Sequence, residues 1–322
     1  MLELLLVQIV GILLLTAIII SPVILIKLRV FSPVSLREAP QRPNRLNLID
    51  LLAALFVVFA TCSIFIAVTM QVDLSSSLVD VATALFIILV FRHRFADGLH
   101  GLGIWGPGKL RAVGFGVLLY VGIMPWLIVV EALSATVQKQ LLHEKNQMHP
   151  VLKQLESIHS PEQILSLVVM ICIIAPIAEE LFFRGLLQTV IIGTIAKLRR
   201  GDANAENVRV GERLTGILVA AGIFAAVHLS VTKDAWSWLP ALFLLGVALG
   251  YAYERTGRLW ADITIHALFN AFAVTLVVFG HVGAPAGAHA TKHAPSDQLT
   301  PKLKMPDRPN HLTWQRSSGV RQ

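Results

Sequence analysis

Three charged residues fall within six positions of an otherwise apolar stretch: Glu179, Glu180 and Arg184, in the string Ala175-Pro176-Ile177-Ala178-Glu179-Glu180-Leu181-Phe182-Phe183-Arg184-Gly185. A charge at the centre of a lipid-spanning helix costs ~2.5–3.5 kcal/mol on insertion scales. Three of them must therefore face a protein interior or a wet cavity. Glu180 and Arg184 are four residues apart and share a helical face, with the acid on the favourable N-terminal side. Arg184 can neutralise Glu180. Glu179 is turned ~100° from Glu180 around the helix and is free to face something else, where a carboxylate suits a general base. Pro176 lacks an N–H and can kink the helix just ahead of the pair, admitting water. The plainer alternative is an ion-paired cluster that only joins helices.

Two later segments add polar groups at helical spacing. In Gly222-Ile223-Phe224-Ala225-Ala226-Val227-His228, Phe224 and His228 are four apart. A neutral histidine accepts a proton, polarises a water or binds a metal, or simply hydrogen-bonds within a bundle. Further on, Asp262, His266 and Asn270 recur every fourth residue and form one polar stripe on an apolar helix. Asp262 can orient the imidazole of His266, and the Asn270 amide can donate to an oxyanion. The alternative for this stripe is interhelical hydrogen bonding. Together the three segments supply a base, a water-polarising group and oxyanion donors, the set needed to hydrolyse an amide bond with an activated water.

The order Glu-Glu-x-x-x-Arg, Phe-x-x-x-His, His-x-x-x-Asn resembles the CPBP (ABI) family of intramembrane proteases, which includes the type II CAAX prenyl endopeptidases. The resemblance covers roughly residues 165–275, and all three motifs are complete. It implies a helical membrane fold around a hydrophilic active-site cavity. It further implies Glu179 as the base working with His228 on the attacking water, His266 and Asn270 as the oxyanion pair, and Glu180 with Arg184 in support. The family is labelled metalloprotease, yet this mechanism resembles a glutamate peptidase that needs no metal. The residues leave both open, because Glu179, His228 and His266 are also a zinc-type ligand set. The soluble zincin motif HExxH is absent. The nearest string, His143-Glu144-Lys145-Asn146-Gln147, ends in Gln where the second His is required.

These residues need helices to position them, and the composition supplies helices for lipid. The 322-residue chain is 55% hydrophobic and only 15% charged, against about 25% charged in soluble domains. The apolar residues form long runs, and a span needs ~20 of them. Eight segments qualify, at 4–26, 48–70, 78–92, 111–135, 163–195, 212–230, 237–253 and 259–280. The expected fold is an all-α, polytopic membrane bundle of about eight transmembrane helices. Residues 1–160 would form N-terminal spans and connectors, 161–280 the protease core, and 281–322 a disordered polar tail. The first segment reads as a retained span rather than a signal peptide, because its apolar run is long and Lys27 and Arg29 follow it.

The fifth run is too long for one simple crossing. A crossing that begins at 163 would bury Glu179 far from the level of His228. Moving the true crossing to about 172–195 removes the mismatch and leaves 163–171 at the interface or in a tilted extension.

Sixteen of the 27 Lys and Arg residues lie in 27–47, 92–111, 197–213 and 254–258. This net charge of +7 is a topology signal that keeps those loops cytoplasmic, and it does not imply nucleic acid. Cys62 and Cys172 both lie in spans and imply neither a disulfide framework nor a Cys-rich metal site. Gly246 and Gly250 form a GxxxG spacing that lets two helices approach closely.

The reading is an intramembrane endopeptidase of a bacterial plasma membrane. Its partners would be membrane lipid and a membrane-bound protein or peptide substrate, lipidated or not. No cofactor is required if Glu179 is the base, and zinc is the alternative. The rival functions are a proton-coupled transporter and a non-catalytic membrane scaffold or immunity factor.

Overall fold

The computed structural model describes residues 2–30, 32–69, 72–142, 155, 160–200, 208–230 and 235–282. Among these residues there is no strand, only the single bridge Asn44–Phe95. Eight long helices carry the fold. They are α1 (Leu2–Lys27), α2 (Leu48–Thr69), α3 (Val72–Arg94), α4 (Lys109–Val137), α5 (161–200), α6 (Val210–Val227), α7 (Leu239–Thr256) and α8 (Leu259–Val282). α4, α5, α6 and α8 are each long and apolar enough to cross a membrane, and shorter apolar stretches occupy Gly11–Lys27 and Leu48–Thr61. The chain is an integral, multi-pass membrane protein. Large apolar side chains such as Phe56, Phe59, Leu89 and Leu133 are exposed on its outside, as a surface facing hydrocarbon requires.

Every apolar run found in the sequence falls on one of these helices. The widest disagreement is α3, which begins at Val72 rather than 78. Asp73, Ser75, Ser76, Ser77 and Asp80 dilute the hydropathy of its first turns without breaking the helix. The loop string His143–Gln147 and nearly all of the tail 281–322 lie outside the described residues.

Among the described residues the two larger of three apolar cores draw on α7. One joins Leu51 and Ala54 of α2, Ile87 and Phe91 of α3, Leu181, Phe183 and Leu186 of α5, Phe224 of α6 and Leu242 of α7. The other joins Leu25 of α1, Leu119 and Leu127 of α4, Leu245 and Leu249 of α7, and Ile265 of α8. Close helix approach depends on glycine. A Cβ at Gly246 would sit 3.0 Å from the backbone of Ala221, and one at Gly250 would sit 2.5 Å from Gln188 Oε1. The GxxxG spacing therefore packs α7 against α5 and α6.

The basic connectors meet at one end of the bundle. Arg45 N–H donates to Arg94 O, Ala96 N–H to Pro43 O, and Val208 N–H to Gln41 Oε1. Buried Glu254 at the end of α7 accepts from Arg42 of the first connector and from Arg213 of α6. Burial works against the Arg42 charge, but Glu254, Tyr253 and Asp262 together more than restore it and hold this guanidinium above its ordinary value.

Candidate active site

The long fifth helix is where sequence and structure had most to reconcile. It runs unbroken through 161–200, so 163–171 continue the helix, one of the two options the apolar run left open. Two wide π turns interrupt its register, at Met170–Ile174 and Leu181–Gln188. Such turns cluster at functional sites, and the first has a visible cause. Ala175 N–H donates to Met170 O, five residues back. In that register Ile171 O would next receive the N–H of residue 176, which is proline and has none. The orphaned carbonyl is taken instead by Asn270 Nδ2 of α8, at 2.8 Å. The second wide turn frees Arg184 O, which accepts from the Thr189 hydroxyl at 3.1 Å.

Between the two π turns stand Glu179 and Glu180. Glu180 is fully buried, and its Oε1 accepts from Arg184 Nη1 at 3.0 Å. The same oxygen meets His266 Nδ1 at 2.7 Å. Arg184 also donates to Gly246 O at 3.4 Å, reaching a carbonyl laid bare by the glycine. Glu179 differs. Its side chain keeps 30% of its surface exposed, and its Oε2 lies 3.8 Å from His266 Nε2. That oxygen is itself buried and has no hydrogen-bond partner among the described residues.

Phe224 of α6 is the hinge of the cluster. Its buried ring meets His228 at 4.8 Å and His266 at 5.8 Å between centroids, both edge-on. The Arg184 guanidinium lies 4.6 Å above the same ring. His228 follows the last turn of α6, and its Nδ1 lies 2.8 Å from Phe224 O. A carbonyl only accepts, so Nδ1 carries the proton and Nε2 of a neutral ring keeps its lone pair. The fold thus gathers Arg184, His228 and His266 around one aromatic side chain, with Glu180 and Glu179 reached through His266. It puts Asn270 one turn beyond His266, with one amide hydrogen already committed to α5.

One assignment read from spacing is corrected. Asp262 does not orient His266, whose Nδ1 is engaged by Glu180. Asp262 lies instead beside Glu180 and Arg184. It is fully buried, and neither of its oxygens has a donor among the described residues; nor does Glu180 Oε2. Two buried acceptors facing each other need a hydrogen between them.

Sequence reasoning also passed over Gln188. It continues the Glu180, Arg184 stripe by one more turn, which was the available signal. Its Nε2 bonds to Gly250 O at 3.2 Å and to Glu254 Oε1 at 3.1 Å, tying the stripe to the Arg42–Glu254–Arg213 cluster. Among the described residues no three His, Cys, Asp or Glu side chains are grouped to hold a metal ion. Glu179, His228 and His266 as arranged do not fit one, and no step below runs through a metal.

The bundle folds ionisable groups from three helices into its interior, where they mark a functional site. Residues 161–272 match the family described as type II CAAX prenyl endopeptidase Rce1-like. The chain is 27% identical over 190 residues to the uncharacterized protein YpbD of Bacillus subtilis, covering 58% of this chain and 80% of that one. It is 26% identical over 178 residues to the membrane-embedded CAAX protease MroQ of Staphylococcus aureus, covering 53% of this chain and 64% of that one. No solved structure matches.

Two predictions follow from the geometry. Replacing Asn270 with Ala should lower thermal stability in detergent by about 1–3 kcal/mol, the cost of leaving the Ile171 carbonyl unmade. In a Pro176→Ala background residue 176 regains an N–H, and the same change should cost at least ~0.5 kcal/mol less. Equal costs in both backgrounds would refute the orphaned-carbonyl account. Separately, Asp262→Asn places a permanent donor against Glu180 Oε2 and should match or exceed the parent's melting temperature. Asp262→Leu should fall below it.

Proposed function

We propose that the protein is an intramembrane endopeptidase that cleaves a peptide bond of a membrane-bound protein or peptide with a water activated by Glu179. One observation carries this reading: of two adjacent carboxylates, Glu180 is closed off by Arg184 and His266, while Glu179 Oε2 has no partner and faces His266 Nε2 at 3.8 Å. The kinship with a protein named as a CAAX protease supports the reaction class.

In this mechanism a water sits against the solvent-reaching side of the Glu179 carboxylate, with the lone pair of His228 Nε2 as a second acceptor that orients it. Glu179 takes a proton as the water oxygen bonds to the scissile carbonyl carbon. The carbonyl oxygen becomes an oxyanion. His266, when protonated, donates through both nitrogens: Nδ1–H holds to Glu180 and Nε2–H turns to the oxyanion. The remaining Asn270 amide hydrogen is a second donor. Glu179 then returns its proton to the leaving nitrogen, the C–N bond breaks, and a new carboxylate and a new amine result. Phe224 keeps the two imidazoles at fixed spacing, which preserves the geometry on which such catalysis depends.

Membrane fractions of cells carrying the wild-type chain or Glu179→Ala should differ in membrane-proximal cleavage products read by terminal proteomics. The purified protein should then cleave a peptide spanning the site so found. Glu179→Ala and His228→Ala should each reduce that rate by about 10²–10⁴-fold while the protein still inserts. A Glu179→Ala protein that cleaves at the wild-type rate would end the proposal.

A further inference from the structure

Away from the catalytic cluster, three helix ends meet around a cleft of about 570 Å³. The start of α4, the end of α7 and the start of α8 contribute Gly108, Arg111, Phe115, Arg255, Thr256 and Arg258 to its walls. Three arginines and no acidic residue line it. Unlike Arg42 and Arg213, which share Glu254, these cations have no carboxylate in the cleft to offset them. Arg255 Nε is buried and has no partner among the described residues. Gly108, with φ of 86°, begins α4 without a side-chain cap, so the positive end of that helix opens toward the same space. Arg258 Nη1 is held by Trp105 O, which leaves the cleft with concentrated positive charge and the unused Arg255 donor; such a site calls for an anion of fixed shape, and guanidinium forks match phosphate.

The surroundings decide where such a phosphate comes from. Trp105 and Trp260 stand at the same helix ends. Trp105 is half exposed under the Lys109 ammonium, and Trp260 Nε1 donates to Ile104 O at 2.8 Å. Tryptophans at span ends mark the headgroup level of a bilayer. Phe115 lies one turn deeper than Arg111 on the same face of α4, and exposed Leu118 follows beside it a further turn along. The site is thus cationic where headgroups lie and apolar where acyl chains lie. A free phosphate would use only its upper half.

We propose that this cleft binds the phosphate headgroup of an anionic phospholipid. The lipid would clamp the ends of α4, α7 and α8 together, and α8 carries His266 and Asn270. The inference does not depend on proteolysis, because lipid retention is read directly.

The full chain is placed in nanodiscs of phosphatidylglycerol mixed with phosphatidylcholine, and retained lipid is measured by native mass spectrometry. Wild-type protein should keep phosphatidylglycerol in preference to phosphatidylcholine. Arg111→Gln combined with Arg255→Gln should weaken that retention roughly thirtyfold, from the usual contribution of each basic residue near an anionic surface. Arg37→Gln, an exposed cation of the first connector, should leave it unchanged. Arg111 is exposed, so Arg111→Gln alone serves if the double variant does not fold, with a loss of about fivefold. Millimolar inorganic phosphate should not compete. Equal retention of the two lipids, an unaffected double or Arg111→Gln variant, or an equal loss in Arg37→Gln would overturn the proposal. Displacement of the lipid by inorganic phosphate would reassign the cleft to free anions and overturn it as well.

Discussion

A carboxylate removed from water inside an apolar bundle persists only when charge and hydrogen bonds replace its hydration, and the arrangement around Glu180 is built on that requirement. Its Oε1 is shared by Arg184, one turn along the same helix, and by His266 from α8. The two contacts make Glu180 the link between α5 and α8. They also fix which nitrogen of His266 faces inward and which faces Glu179. Removing the neighbours of Glu180 would strand a charge in the bundle, whereas Glu179 bears no such structural duty.

The rest of the fold serves that link by letting helices come close and letting one of them change register. Gly246 and Gly250 bare the carbonyls that Arg184 and Gln188 reach across to α7. Gln188 passes the network on to Glu254, where Arg42 and Arg213 pin the first connector to the core. Pro176 and the wide turn before it leave Ile171 O without a helical donor, and Asn270 fills the gap. Polar residues thus bind α5, α6, α7 and α8 in a solvent where apolar contact between helices has no advantage over contact with lipid.

Much of this was legible in the sequence, for identifiable reasons. Lipid demands long apolar runs, so hydropathy alone located all eight helices to within a few residues, apart from the polar start of α3. The i, i+4 spacing of Glu180 and Arg184 predicted their pairing and the separate position of Glu179. Partners on different helices were not legible. Spacing offered Asp262 to His266 because the two share a face of α8, but the nearer carboxylate belongs to Glu180, 86 residues earlier in the chain. The first π turn was hidden for a related reason. Pro176 announced a disturbance, and only the geometry of the turn showed which carbonyl loses its donor and which side chain replaces it.

The account rests on a division of labour between two neighbouring carboxylates, and separate measurement of stability and cleavage tests it most directly. Glu179→Gln and Glu180→Gln proteins are compared in detergent for thermal unfolding and for hydrolysis of a membrane peptide. Glu179→Gln should retain the parent's melting temperature and lose cleavage. Glu180→Gln should lose about 3–5 kcal/mol of stability, the usual cost of breaking a buried ion pair from one side. Destabilisation by Glu179→Gln with cleavage preserved, or a Glu180→Gln protein as stable as the parent, would contradict the account.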